Sequence, residues 1–298
     1  ANVIIEDPVR RGLLYLGMET ALYISFDDGD RWQHANNNLP PAPVYGLVIQ
    51  ERFNDLVVGT YGRGFYILDD LTALQKLTPE VQAADAHLFP LMPAYRWISI
   101  PGNYSMNDDQ TAGQNPPTGA SINYWMKAAG VATIEILDST RKVVRTMNDT
   151  AQAGLNRTYW NLQNGAPGAA VMRTKPMFNE EFEMNADGTR PAGFGSITVL
   201  MPPGKYTVRL TVGGNSLTQP LEVRRDPSSR ATVVEIAART SAALALQRDH
   251  AAATEMLNTI ENDRAQVQAM EAQLANDASM TDVRSAGDAL EQKFIEVE

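Results

Sequence analysis

Leu14-Tyr15-Leu16-Gly17-Met18-Glu19-Thr20-Ala21-Leu22-Tyr23-Ile24 is echoed by Leu56-Val57-Val58-Gly59-Thr60-Tyr61-Gly62 and, after Arg63, by Gly64-Phe65-Tyr66-Ile67. The two glycines stand 42 positions apart, and Tyr23 and Tyr66 stand 43 apart. Each copy reads as apolar strand, small-residue turn, apolar strand. A period of about 40–45 residues is that of a four-stranded β-propeller blade. Glycine in the turn suits a positive φ that a β-branched residue resists. Two blades cannot close a ring, because each open edge would leave backbone groups unpaired. Most of the propeller is therefore expected to precede residue 1.

Inside the first copy, Ser25-Phe26-Asp27-Asp28-Gly29-Asp30-Arg31-Trp32 fits Ser/Thr-x-Asp-x-Gly-x-x-Trp at every defined position. The pattern is that of a hairpin turn. Asp27 can accept from turn amides, Gly29 can supply the left-handed residue, and Trp32 can return to pack in the sheet. In the second copy Leu68-Asp69-Asp70-Leu71 keeps the aspartates and loses the glycine and tryptophan. With Gly12-Leu13-Leu14-Tyr15-Leu16-Gly17 and Gly59-Thr60-Tyr61-Gly62-Arg63-Gly64-Phe65-Tyr66-Ile67-Leu68-Asp69-Asp70, residues 1–78 resemble the end of the sortilin-type, BNR/Asp-box propeller family. Bacterial members of that family are often described as glycosyl hydrolases. The family usually carries histidine at the position of Tyr61, a departure that weakens any role needing an imidazole there. The resemblance implies that Ser25, Asp27, Gly29 and Trp32 are structural, since such boxes lie at the periphery of related propellers.

Past residue 78 the chain changes character twice. Residues 79–118 hold Pro79, Pro90, Pro93, Pro101, Pro116 and Pro117 with a polar stretch from Asn103 to Asn115, which reads as a linker. Short alternating strands follow over 119–227: 122–126, 131–137, 158–162, 196–200, 206–212 and 217–223. Turn signals such as Pro202-Pro203-Gly204 and Gly213-Gly214-Asn215 separate them, which predicts a β-sandwich. The block resembles the immunoglobulin-like domain of flagellar hook-capping proteins and secretion-sorting modules through Trp160-Asn161-Leu162 and Gly204-Lys205-Tyr206-Thr207-Val208-Arg209-Leu210. An insertion over 163–195 breaks the strand rhythm and is expected as a long loop over the sandwich or against the propeller. Over 228–298 the period is helical, opened by the capping box Thr232-Val233-Val234-Glu235. A seam runs through Ala242, Leu246, Ala253, Met256, Ile260, Val267, Met270 and Leu274, interrupted by Asp249 and Asp263. After a polar break at 276–281, Val283, Leu290, Phe294 and Val297 give a second stripe. An antiparallel hairpin is expected, with Phe294 and Leu290 near Val267 and Ile260, and a bare flank suited to self-association. The fold class is mainly β with a helical C-terminus: last blades of a β-propeller, an Ig-like β-sandwich and an α-helical hairpin. Both chain ends look cut.

Composition narrows the function. A net charge of −10 argues against nucleic acid and anionic membranes, which call for a basic face. There is no cysteine, so disulfides, thiolate metal sites and a catalytic thiol are excluded. No apolar run approaches a bilayer span. An export signal, if used, would lie upstream.

Chemistry-bearing constellations are few. Glycosidase chemistry needs two opposed carboxyl groups, and Asp27, Asp28, Asp30, Asp69 and Asp70 are the candidates. Asp27 is claimed by its turn, and Asp69 and Asp70 end a strand where they can cap. His34, His87 and His250 are scattered without ligand spacing, so no metal or cofactor is expected. Asn185-Ala186-Asp187-Gly188 reads as a turn rather than a calcium loop. Three tripeptides beginning at Asn103, Asn148 and Asn156 fit the glycosylation pattern. Arg63, between glycines, is the best candidate for contacting a carboxylate or phosphate ligand, with Tyr61 beside it. The alternative for Arg63 is to cap strand-end carbonyls or pair with Asp69 or Asp70.

Every motif is structural, so the expected role is a non-catalytic binding or scaffold portion of a secreted or periplasmic propeller protein. Its partners would be the upstream blades and a carbohydrate or protein ligand. The rival is part of a glycoside hydrolase whose carboxylates lie on upstream blades.

Overall fold

The computed structural model describes residues 1–35, 37–98, 113, 115–176, 179, 181–193 and 195–297. The protein is mainly β with a helical C-terminus. It divides into two compact units, residues 1–162 with 202–230, and residues 163–201 with 231–298.

In the first unit, β1 (Val3–Glu6), β2 (Leu14–Gly17), β3 (Leu22–Ser25) and β4 (Gln33–His34) form a four-stranded antiparallel meander. Next come β5 (Val44–Gln50), β6 (Asp55–Thr60) and β7 (Phe65–Leu68), a three-stranded one. Alternation decides which face is buried. Tyr15, Leu22 and Ile24 of the first sheet share a core with Val44, Leu47, Leu56 and Val58 of the second. The sequence expectation for Gly17 needs correcting. It has no positive φ. A Cβ there would lie 2.7 Å from the Val3 and Val44 side chains and from the Val44 carbonyl. Space, not backbone conformation, requires this glycine.

Two short helices, α1 (Thr72–Lys76) and α2 (Pro79–Ala83), follow, then β8 (Ala86–Leu88) and β9 (Ala94–Arg96). The stretch expected as linker thus contributes strands on its described residues, while Pro101 and Asn103 to Thr111 lie outside them. β10 (Ala120–Met126), β11 (Gly130–Leu137), β12 (Val143–Ala151) and β13 (Gly154–Trp160) come next. One sheet has the order β13-β10-β8. After β14 (Val171–Met172) and β15 (Arg190–Pro191) of the second unit, β16 (Gly204–Val212) and β17 (Asn215–Arg225) complete a sheet of order β12-β11-β16-β17-β9. Its last pairing, β17 with β9, is parallel. Ala132, Ile134 and Ile136 of β11 and Val208 and Leu210 of β16 make its buried face. Trp160 of β13 meets Tyr206 of β16 edge-to-face at 5.2 Å.

The second unit holds the helices α3 (Val233–Leu274) and α4 (Thr281–Val297), separated by a 3-10 turn, Ala278–Met280. Thr232 and Glu235 form the expected capping box. Residues 196–200, expected as a strand of the sandwich, instead join this unit and give a single bridge, Gln163 to Leu200. The insertion, expected over the sandwich or propeller, hydrogen-bonds to α3. Of the expected apolar seam of α3, Val267 is buried, but most of the buried side chains of this helix are polar. Thr240, Gln247, Thr254 and Glu261, at strict seven-residue steps, are buried. Leu246, Met256 and Met270 are exposed.

Candidate functional site

A meander sends successive chain reversals to opposite ends of its sheet. The β2–β3, β4–β5 and β6–β7 reversals therefore share one end, and two backbone bonds stitch them together. The Val44 amide donates to the Met18 carbonyl at 2.9 Å, and the Tyr61 amide to that of Pro43 at 2.8 Å. The β6–β7 turn closes through Thr60, whose hydroxyl donates to the Gly64 carbonyl at 2.7 Å. Gly62 and Gly64 sit at φ of 72° and 78°, the left-handed region where a side chain is strained. Nothing lies within 4 Å of where their Cβ atoms would be. The turn is thus open on the side where these two Cβ atoms would lie. Tyr61, 72% exposed, meets Tyr45 edge-to-face at 6.0 Å. Arg63 is exposed and has no hydrogen-bond or ion-pair partner among the described residues. This end presents an exposed arginine and an aromatic pair on one turn region.

The opposite end is closed by hydrogen bonds. Buried Ser25 donates its hydroxyl to Asp27 Oδ1 at 2.9 Å and accepts from the Gly29 amide at 2.9 Å. Asp27 Oδ1 also accepts from the Arg31 amide at 2.9 Å. The Arg31 amide, then the Ser25 hydroxyl, hold the Asp27 carboxyl below its ordinary value. Gly29 has φ 93°, and the Trp32 ring lies over it. Ser25, Asp27, Gly29 and Arg31 hold the turn together, while the Asp28 amide donates to the Gly12 carbonyl at 3.0 Å and Phe26 packs on the core.

Behind it runs a buried polar network. Asp7 accepts from the amides of Val9 and Arg10, each at 2.8 Å, from Tyr15 Oη at 3.1 Å and from Gln75 Nε2 at 3.0 Å. Burial, then the Asp7 charge, push the Tyr15 phenol far up. Asp70, at φ 52°, accepts from Asn123 Nδ2 at 2.6 Å and Ser121 Oγ at 3.3 Å. Arg157 donates Nε to Asn123 Oδ1 at 2.6 Å and Nη2 to the carbonyls of Asp69 and Asp70 at 2.7 and 2.9 Å. The capping weighed for Arg63 is performed by Arg157. Sequence reasoning missed Arg157 because it lies on β13, far along the chain, and the tripeptide beginning at Asn156 that contains it says nothing of capping. Asp70 is a buried brace whose carboxylate is committed to amide and hydroxyl donors, and its own amide donates to Asp55 Oδ1 at 2.9 Å. Burial first, with the charges of Asp69 and Asp70, pushes the Asp55 carboxyl up against the pull of that amide.

The remaining candidates are local. His34 stacks edge-on with Tyr23 at 5.3 Å and His87 with Phe89 at 4.9 Å. Among the described residues no three His, Cys, Asp or Glu side chains could hold a metal. Asp187 accepts from the amide and hydroxyl of Thr189, closing the 185–189 turn. Asn156 spends its amide on the Gln152 and Gly154 carbonyls. No described helix is long and apolar enough to cross a membrane.

No family model matches this chain, and no curated protein does. A solved chain described as "Biofilm associated protein - BSP domain" is similar at 9% identity with a TM-score of 0.21. The match covers 72% of this chain and 30% of that one, so this chain spans under a third of its length. The likeness is too slight to carry fold or function across.

Proposed function

We propose that this chain is the non-catalytic C-terminal portion of a secreted or periplasmic Asp-box β-propeller protein. In this reading 1–78 are its last blades, the later sheets form an Ig-like sandwich, and a carbohydrate or protein ligand is held by the complete propeller. Tyr61 and Arg63 contact that ligand. The observation that supports this most is the pair of outer faces on the two meanders. Ile4 is 56% exposed on one, and Val48 and Ile67 are 63% and 59% exposed on the other, while both inner faces share a core. A sheet apolar on both faces is one that packs on both faces. Further blades of the same protein satisfy that requirement.

The non-catalytic part rests on two of the candidate carboxylates, Asp27 and Asp70, which are committed to a turn and a brace. On a panel of chromogenic glycosides the isolated chain is expected to give no turnover. Turnover abolished by changing Asp69 or Asp70 would overturn this reading. An intact-mass measurement on the natively expressed protein tests the propeller. A mass well above that of this chain is expected, and a species no larger overturns it. The exposed Leu246, Met256 and Met270 of α3 offer a surface for self-association, which light scattering at increasing concentration would detect.

A further inference from the structure

The buried seam of α3 is polar, and its partners lie in the insertion rather than in α4 alone. Gln247 Nε2 donates to the carbonyls of Ile197 and Gly165 at 2.6 and 3.3 Å, and its Oε1 accepts from Asn164 Nδ2 at 2.6 Å. Three turns on, Asn258 Oδ1 accepts from the Val171 amide at 2.8 Å. Glu261, fully buried, accepts from the amides of Arg173 and Thr174, the latter at 2.9 Å, and from Thr174 Oγ1 at 2.8 Å. Much of this is side chain to backbone, so the helix grips an extended segment largely by its main chain.

Glu261 differs from the other two anchors in carrying charge and in leading onward. Its Oε1 also accepts from Arg264 Nη1 at 2.9 Å. Arg264 Nη2 then reaches Glu291 of α4 at 3.3 Å, and Gln268 donates to the same Glu291 oxygen. Arg264 and Glu261 side chains are 7% and 0% exposed, and Glu291 is 16% exposed. A buried charge stripped of one partner is costly, because the other partners cannot replace its solvation. The carboxylate is well compensated only when the strap amides and Arg264 are both present. Arg264 in turn carries the link onward to α4 through Glu291.

We infer that residues 171–174 form a strap whose hold on α3 and the closure of α4 on α3 are one coupled latch, joined through Glu261, Arg264 and Glu291. Binding energy at either end then reports at the other by the same factor, since coupling between two sites is reciprocal. An event that pulls on the strap loosens α4, and one that lifts α4 frees the strap. Gln247 and Asn164 stand outside this chain of charges and provide an internal control.

Residue-resolved amide hydrogen exchange on the full chain tests it. Glu261→Gln is the direct variant, but it sits at the centre of the buried site and can prevent folding. Glu291→Gln and Thr174→Val alter the two ends conservatively. In Glu291→Gln the amides of Arg173 and Thr174 should exchange about tenfold faster, with the Asn164 amide changed less than about twofold. In Thr174→Val the amides of α4 around Glu291 should accelerate by a similar factor. Unchanged exchange at Arg173 and Thr174 in Glu291→Gln overturns the coupling. So does a uniform rise across both the strap and the helices, which would mean loss of the unit as a whole.

Discussion

The two copies of the glycine-bearing hairpin share a sequence pattern and part company in what surrounds them. Around Gly17 the first copy is crowded, with three atoms at 2.7 Å from a would-be Cβ and the following Met18 carbonyl bonded to Val44. Around Gly59 the second copy is loose, with its nearest neighbours at 3.5 and 3.6 Å, and its turn projects Tyr61 and Arg63 outward. A repeat therefore conserves strand geometry while leaving each copy free to be packed or presented. The same split separates two arginines. Arg157 spends its guanidinium on three acceptors, and Arg63 spends its on none among the described residues.

One substitution made in both copies breaks or sharpens this contrast most strongly. Gly17→Ala forces side chains and the Val44 backbone apart and should cost about 3 kcal/mol, an overpacking effect. Gly59→Ala meets only ordinary van der Waals distances at a permitted φ and should cost less than about 1 kcal/mol. Urea denaturation midpoints give both numbers. Equal losses would show that the two hairpins are packed alike.

Next in size is the buried brace. Arg157→Ala leaves Asn123 and the carbonyls of Asp69 and Asp70 without their donor and should cost about 2 kcal/mol. The effect should appear in the melting temperature without any change in ligand binding.

Two carboxylates on α3 give a smaller contrast, read by titration. At Glu261 burial alone would raise the pKa, but the Arg173 and Thr174 amides, the Thr174 hydroxyl and Arg264 outweigh it and hold it below 4.5. Its stabilisation is complete above that ordinary value and is lost as pH falls through the lower native one. At Glu271 burial first, then Asp288 and Glu291, raise the pKa. Its charged form is a penalty above the raised value, and the penalty vanishes as pH falls through it. The helical unit should therefore gain slightly in thermal stability on mild acidification and lose it below about 4.5. Circular dichroism melts across that range would show the turnover. A Glu261→Gln protein with the same acid limb would assign the loss to other carboxylates.

Much of the strand placement was legible from the sequence. The strands from 122, 131, 206 and 217 fall where alternation of side chains placed them, because burial of one face writes itself into every second residue. β12, Val143–Ala151, carried no such mark. It is the outermost strand of its sheet and its described side chains are mostly exposed or half-buried. β8 and β9 were hidden among prolines, and three residues are too few for a period to emerge. The hairpin of α3 and α4 was legible from the polar break between two stripes. Its buried face was not. Leu290 stays 43% exposed, and the described polar contacts between the helices run from Arg264 and Gln268 to Glu291. Periodicity finds apolar seams, whereas Gln247 and Glu261 are buried against hydrogen-bond partners 50 to 88 residues away in sequence. The exposed turn that carries Tyr61 and Arg63 was legible because flanking glycines announce it. Arg157, whose role depends on a distant strand end, was not.

The most direct test pairs the two arginines in thermal melts of Arg63→Ala and Arg157→Ala, with no ligand added. An Arg63 side chain free for a ligand should leave stability within about 0.5 kcal/mol of the parent chain, while Arg157→Ala melts clearly lower. An Arg63→Ala protein that melts as low as Arg157→Ala would make Arg63 another brace and contradict its assignment as a ligand contact.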